Sequence, residues 1–241
     1  MEEKTWFEKL GYKENPFMIK PYAFEDNLQG YKNYIKKINA VLKKGKVVFI
    51  EGDYGVGKTA TLKQIINEFK GKRKLIYYSA NRGDGGVDFD ALIKGRAGPI
   101  GRLFGIKPKE LLLMVDEAQK LTLHDCEKIE TLIDDGYFKS VVLVSDDMRK
   151  MNMTAGLKRR IGDQIVMLGE LLTENHAIKI VKDRLGKESR FISPKVTKLI
   201  FEKSGKNPRR MLEYLEDISR YVVEEKGEDK VTEEDVLYVL T

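Results

Sequence analysis

The most informative stretch of the chain, residues 52–59, reads Gly52-Asp53-Tyr54-Gly55-Val56-Gly57-Lys58-Thr59. It matches the phosphate-loop pattern G-x-x-x-x-G-K-[ST] at every fixed position. Glycines let the backbone bend so that its N–H groups surround the α- and β-phosphates of a nucleotide, the lysine reaches the β- and γ-phosphates, and the threonine hydroxyl can bind Mg²⁺. We therefore expect a nucleoside triphosphate, held by Gly52, Asp53, Tyr54, Gly55, Val56, Gly57, Lys58, Thr59 and Ala60.

The residues on both sides of this loop supply the context that the pattern requires. Residues 46–51 (KVVFIE) predict a short buried strand, and residues 59–69 (TATLKQIINEF) predict a helix whose apolar side chains recur at helical spacing. The positive end of the helix dipole then lies at the loop and favours a bound phosphate. The alternative is an ordinary glycine turn between a strand and a helix.

Length and composition limit the class of protein. The 241 residues suit one large domain, or a core domain followed by a small second one. The single cysteine, Cys126, excludes an internal disulfide. The N-terminus (MEEKTWFEKL) is charged, unlike a signal peptide, and no apolar run has transmembrane length. We therefore expect a soluble, cytoplasmic protein without membrane insertion.

The charge of the chain allows two interpretations. The formal net charge is +6, and charged residues, mostly Lys and Glu, make up 34% of the chain. This composition resembles hyperthermophile usage, in which many lysines form a solvated, heat-adapted surface. The other interpretation is a polyanionic partner such as DNA.

The order of predicted elements indicates two domains. Further strands are predicted at residues 74–80, 111–116, 139–145 and 164–168, with helices at 31–42 and 124–135. Strands that alternate with helices indicate parallel βαβ units. Residues 81–110 are rich in glycine and basic residues, and we expect a loop there with one short helix. After residue 173 only helices are predicted, at 173–185, 194–203, 208–225 and 232–240.

We therefore predict an α/β nucleotide-binding domain over residues 1–171, with an irregular, aromatic segment over 1–30 that packs on the nucleotide base or caps the core. A small all-α domain is predicted over residues 172–241. Thr173, Ser193 and Thr232 are the expected N-caps of its helices.

The second strong motif is Asp116-Glu117 at the end of the apolar strand LLLMVD. Because the carboxyl ends of parallel strands meet at one edge of the sheet, Asp116 is expected beside the phosphate loop. Asp116 is then the Mg²⁺ partner together with Thr59, and Glu117 polarises the attacking water. The alternative is an acidic strand end at a surface turn.

Ser145 ends the predicted fourth strand, which we expect between the strands that carry the phosphate loop and Asp116. Its hydroxyl can hold the attacking water or the γ-phosphate. The alternative is a serine that caps a helix.

Together, the phosphate loop, Asp116-Glu117, Ser145, Arg159-Arg160 and residues 205–210 resemble the AAA+ ATPases over nearly the whole chain. Within this family the chain is most similar to replication initiators, clamp-loader subunits and related ATPases of DNA transactions. Asp116-Glu117-Ala118-Gln119 resembles the DEAQ box of transposition ATPases and of general-secretion A-type ATPases. Residues 12–17 (YKENPF) resemble the N-terminus of the last group.

The resemblance implies a P-loop NTPase fold with a five-stranded parallel sheet and a helical lid, with ATP and Mg²⁺ as cofactors. It places Ser145 at sensor 1 and Arg159 or Arg160 at the arginine finger, which acts on the ATP of a neighbouring subunit. A surface basic run or DNA contact, with Lys158, is the alternative for these arginines. Arg209, or Arg210 if the register shifts by one, takes the sensor-2 place on the lid. The catalytic candidates are Lys58, Glu117, Ser145, Arg159, Arg160 and Arg209.

The resemblance also implies partners. We expect a homo- or hetero-oligomer of AAA+ subunits that acts in a DNA transaction. The clamp-loader serine-arginine-cysteine motif is absent at Lys158-Arg159-Arg160, and the chain ends with the predicted lid, so DNA contact is expected from core lysines and the basic loop 94–109. That loop carries Lys94, Arg96, Arg102, Lys107 and Lys109. The alternative is a disordered surface loop that contacts no DNA. The alternative function is a nucleotide-switched adaptor for an unidentified protein partner, or a secretion-type ATPase, without DNA binding.

Overall fold

The computed structural model describes residues 4–19, 30–68, 74–82, 86–169, 172–188 and 190–241. The chain divides into two compact units. The sheet unit comprises Lys32–Tyr54 and Lys58–Gly169, and the helical unit comprises Met1–Tyr31, Gly55–Gly57 and Glu170–Thr241. None of the helices in the described ranges has the length and apolarity that a bilayer crossing requires.

The sheet unit contains five parallel strands in the order β2-β3-β4-β1-β5. The strands are β1 Val47–Glu51, β2 Leu75–Ser79, β3 Leu111–Asp116, β4 Phe138–Ser145 and β5 Ile165–Met167. Every residue of β3 is buried, as expected for a central parallel strand covered on both faces. The predicted α/β fold with a five-stranded parallel sheet is confirmed.

The strand order sets which residues meet at the carboxyl edge of the sheet. Strand β4 lies between β1 and β3, as predicted. Glu51 pairs in register with Ser145, and Ser79 with Asp116. The edge that receives the phosphate loop therefore also receives the ends of the strands that carry Asp116 and Ser145.

The helices of the sheet unit follow local signals. They are α2 Lys32–Lys43, α3 Lys58–Glu68, α4 Phe89–Lys94, α5 Pro99–Leu103, α6 Leu123–Asp134 and α7 Ala155–Ile161. Residue 69, the predicted end of the helix after the phosphate loop, lies outside the described residues. The segment 81–110 contains α4 and α5 and not one short helix: the Asp88 carboxylate caps α4, and Pro99 begins α5.

The helical unit contains α8 Glu174–Leu185, α9 Pro194–Lys203, α10 Pro208–Arg220 and α11 Glu233–Val239. Thr173, Ser193 and Thr232 accept hydrogen bonds from the first turns of α8, α9 and α11, which confirms them as N-caps. Among the described residues of this unit, strand pairing is limited to one isolated bridge, Ile192 with Val231. The last turns of the predicted helix 208–225 adopt π-helical geometry over Tyr221–Lys226.

The N-terminal residues pack within the helical unit. Helix α1 (Trp6–Lys9) precedes a turn in which the Trp6 and Phe17 rings stack with centroids 6.0 Å apart. The half-buried guanidinium of Arg184 donates to Pro16 O at 2.9 Å, and desolvation lowers the pKa of Arg184 to about 10. Residues 4–18 thus cap the core of this unit, whereas we assigned them to the nucleotide-binding domain. The domain boundary at 171/172 falls next to residues outside the described ranges and stays a prediction.

Candidate nucleotide site

The phosphate loop connects β1 to α3 and depends on two glycines with positive φ. Gly55 has φ +87° and Gly57 has φ +97°, where other residues are strained. A Cβ on Gly57 would lie 3.3 Å from the Tyr31 hydroxyl, which donates to Val56 O. Burial raises the pKa of Tyr31 to about 12, so this phenol remains a donor at neutral pH. Tyr31 therefore stabilises the backbone of the phosphate loop at Val56 and Gly57.

The Lys58 ammonium lies inside the site and is only 7% exposed. It donates to Gly52 O at 2.7 Å, to Asp53 O at 3.0 Å and to the Asp146 carboxylate at 2.5 Å. A lysine ammonium has three protons to donate, so these partners match its full capacity. A phosphate and Asp146 are both anions that would bind the same ammonium.

A pair of oxygen donors suited to Mg²⁺ lies beside the loop. The Thr59 hydroxyl donates to Asp116 Oδ2 at 2.8 Å, and Asp116 is 4% exposed. The Tyr77 hydroxyl donates to the same oxygen at 3.2 Å. In the described residues no group of three or more His, Cys, Asp or Glu could hold a metal. The Thr59–Asp116 pair fits Mg²⁺, which commonly takes one or two protein ligands together with phosphate oxygens and water.

Glu117 follows the metal pair and adopts a strained backbone. Its φ of 56° and ψ of 43° are left-handed, a conformation that costs an L-residue about 1–2 kcal/mol. Gln119 Nε2 donates to Glu117 Oε2 at 2.7 Å and so orients the carboxylate. Strain of this kind concentrates at functional sites. The arrangement can hold a water and accept its proton.

Ser145 is fully buried at the end of β4. Its hydroxyl donates to Asp147 O at 3.2 Å and accepts from Asp147 N at 3.3 Å. It therefore stabilises the turn that presents Asp146 to Lys58. Its role toward the γ-phosphate stays a prediction.

Arg159 and Arg160 lie far from the phosphate loop of the same chain. Both line a cleft of about 280 Å³ that also contains Val47, at the amino end of β1. The loop begins at the other end of this strand, and five residues at about 3.3 Å each separate the two ends by roughly 16 Å. Arg160 pairs with Asp134, whereas among the described residues no ion pair involves Arg159.

Arg209 lies in the first turn of α10, where Asn207 Oδ1 accepts from Arg209 N at 3.0 Å. Gly55 belongs to the same compact unit. A Cβ on Gly55 would come within 2.6 Å of Asn207 Oδ1 and 2.9 Å of Arg209 Cβ. Asn207 and Arg209 are therefore the residues of this turn that lie nearest to the loop glycine. The Arg209 guanidinium contacts Glu213 at 3.1 Å.

The sequence interpretation assigned no role in the site to four side chains that shape it, although it noted Gln119 as part of the DEAQ motif. They are Tyr31, Tyr77, Gln119 and Asp146. Asp146 could have been found, because it directly follows a strand that was expected beside the phosphate loop. The hydroxyl contacts of Tyr31 and Tyr77 could not be predicted from a sequence motif, because they join residues that only the fold brings together.

Comparisons with known proteins agree on the fold. Neither a scan against protein-family models nor a search of curated proteins gives a match. Among solved structures, the chain is similar to the Aeropyrum pernix ORC1 protein in complex with DNA, at TM-score 0.69 and 14% identity, with 94% of this chain and 68% of that chain covered. Cdc6p from Pyrobaculum aerophilum gives TM-score 0.66 and 17% identity, with coverage of 93% and 69%.

The Thermotoga maritima RuvB Holliday junction branch migration motor is also similar, at TM-score 0.61 and 18% identity, with coverage of 87% and 68%. At such low identities the similarity shows the fold alone. The sheet order and the phosphate-loop geometry, together with these neighbours, define an α/β fold with a phosphate loop and a five-stranded parallel sheet, followed in the chain by a helical unit.

Proposed function

We propose that the chain binds ATP with Mg²⁺ and hydrolyses it. The observation that carries this proposal is the contact between the Thr59 hydroxyl and Asp116, which places a metal-binding pair next to the phosphate loop. Bound Mg²⁺ would neutralise charge on the β- and γ-phosphate oxygens. Lys58 binds phosphate oxygens, and Glu117, oriented by Gln119, accepts the proton of a water at its free carboxylate oxygen.

We also propose that subunits assemble with ATP at their interfaces. Arg159 and Arg160 lie at the edge of the sheet opposite to the phosphate loop, so in one chain they cannot reach its ATP. A neighbouring subunit can supply one of them to the γ-phosphate, where a guanidinium stabilises developing negative charge. Arg209, in the turn that contacts Gly55, serves as the sensor of nucleotide from the helical unit.

A DNA transaction is the proposed setting for this ATPase. The net charge of +6 and the basic loop 94–109 favour a polyanionic partner. In that loop Lys94, Arg96 and Lys109 are exposed. Two structural neighbours are described as an ORC1 protein in complex with DNA and as a Holliday junction branch migration motor.

Asp146→Asn is expected to tighten ATP binding about three- to tenfold. The substitution removes an anion that competes with phosphate for Lys58, and a partly buried pair of this kind is worth on the order of 1 kcal/mol. Titration with a fluorescent ATP analogue measures the change. Asp147→Asn is the matched control, because that carboxylate binds Arg149 and not Lys58. Unchanged or weaker binding in Asp146→Asn would show that Asp146 does not compete.

Binding to duplex DNA is expected to weaken steeply with salt, because each phosphate contact releases counterions. The measurement is fluorescence anisotropy of a labelled duplex at several salt concentrations, with and without ATP. Replacement of Lys94, Arg96 and Lys109 by Gln should reduce the slope of log K against log salt by about 3.

The control for this titration neutralises three exposed lysines of the helical unit: Lys179, Lys182 and Lys203. It changes the net charge equally, so its slope should stay near that of the wild type. A wild type that binds no DNA at low salt in the presence of ATP would remove the DNA function and support the adaptor or secretion-type alternative.

A further inference from the structure

Three large apolar side chains of the sheet unit are exposed at the end of α5 and in the loop that follows it. Leu103 is 79% exposed, Phe104 69% and Ile106 60%, and we call these three residues the apolar tip. The loop is closed by a hydrogen bond from Ile106 N to Gly101 O at 2.8 Å. Gly105 turns the chain with φ +64°. Large apolar side chains that are exposed next to one another in the chain indicate an interaction site for a ligand or a macromolecular partner.

The base of the apolar tip is fixed to the rest of the sheet unit. Lys107 donates to Asp90 at 2.7 Å, and Lys109 donates to Asp135 O at 3.1 Å. Both ammonium groups also lie over the Tyr137 ring, at 5.8 and 5.3 Å from its centroid. These contacts fix the residues that directly follow the apolar tip to the rest of the sheet unit.

The charge of the segment that carries the apolar tip selects the kind of partner. Residues 95–109 contain basic residues and no acidic one. Lys107 is paired with Asp90, whereas Arg96 and Lys109 are exposed and supply positive charge. Exposed cations of this kind complement a polyanion. Phosphates give no favourable contact to Leu, Phe or Ile, whereas the space between two stacked base pairs does. Apolar side chains flanked by cations therefore suit a nucleic acid that offers both phosphates and base faces.

An anionic membrane also offers both negative charge and an apolar phase, but three apolar side chains suit it less well than they suit DNA. The tip has three apolar side chains, and even a full acyl chain gives only marginal membrane binding. Insertion at a base step needs only one or two such side chains. The observations favour DNA.

We propose that the apolar tip acts as a wedge in duplex DNA, with the Phe104 ring inserted between base pairs and the exposed Arg96 and Lys109 on the flanking phosphates. The proposal rests on the proposed DNA function. The wedge unstacks one step and so bends or opens the duplex. Flexible pyrimidine–purine steps such as TA are its preferred site, because they unstack at the lowest energetic cost.

The test uses the full chain and a duplex with 2-aminopurine at a TA step, with anisotropy and 2-aminopurine fluorescence recorded on the same samples. The wild type should raise the fluorescence at least about twofold on binding, because unstacking relieves quenching. Phe104→Ser should abolish the rise and weaken binding less than about tenfold, because the phosphate contacts remain. Phe104→Leu should keep part of the rise. Leu123→Ser, at a site 50% exposed, is the matched control and should behave as the wild type.

The outcomes separate the wedge from the DNA function. A wild type that binds the duplex without a rise in fluorescence overturns the wedge and leaves the DNA function standing, whereas a wild type that binds no duplex overturns both. Sedimentation with phosphatidylserine vesicles tests the membrane, and sedimentation velocity tests a second copy of the chain. The wedge is also overturned if Phe104→Ser impairs vesicle binding or self-association and leaves the fluorescence rise intact.

Discussion

Glu117→Gln is expected to lower ATP hydrolysis by about 10²- to 10⁴-fold, the contribution typical of a general base. The amide keeps the size of the side chain but cannot accept a proton from water. It leaves Lys58, Thr59 and Asp116 unchanged, so ATP binding should persist. The variant should therefore retain ATP, and the oligomer that depends on ATP should accumulate. Phosphate release measures hydrolysis, and size-exclusion chromatography with light scattering measures assembly.

Glu110→Gln is the matched control for this prediction. Glu110 also has a left-handed backbone, with φ 57°, but it precedes β3 and so lies at the opposite end of the strand from Glu117. Its substitution tests whether loss of any strained glutamate lowers activity. Normal hydrolysis in Glu117→Gln would show that another group activates the water. Gln119→Ala should give a smaller loss, because it removes only the hydrogen bond that orients the carboxylate.

The sheet was predictable because its strands are short apolar runs. Strand β3 was predicted with the observed bounds, and β4 was expected between β1 and β3. Parallel strands bring their carboxyl ends to one edge of the sheet, so the proximity of Thr59 and Asp116 could be predicted from their positions after β1 and at the end of β3. The phosphate-loop motif and the direction of the strands were therefore sufficient to predict the backbone part of the nucleotide site.

The remaining features depend on packing between residues distant in sequence. Lys58 and Asp146 are 88 positions apart, and their contact needs a side-chain conformation that no spacing encodes. The segment 81–110 lacks a clear period because its glycines interrupt the pattern, so α4 and α5 were not separated. The half-buried Arg184 donates to Pro16 O and Met18 O on both sides of Phe17, although an arginine is by residue type expected on the surface.

Arg159→Ala is expected to reduce hydrolysis about 10³-fold, and Arg160→Ala only a few-fold, if a finger acts between subunits. The reason for the difference is the pairing of Arg160 with Asp134, which holds its guanidinium on its own subunit. In the described residues no ion pair restrains Arg159. ATP affinity should change little in either variant, because the finger acts mainly on charge that develops during the reaction. Equal losses in both variants would contradict the assignment.

A mixture of two inactive variants decides whether the arginine acts on a neighbour. Arg159→Ala subunits retain Glu117, and Glu117→Gln subunits retain Arg159. In a mixed oligomer with head-to-tail interfaces, about a quarter of the sites combine both intact residues, so activity should return to that fraction of the wild type. Arginine action within one chain predicts no recovery, because neither variant then has a complete site. The roughly 16 Å between the cleft and the phosphate loop of the same chain makes recovery the expected result.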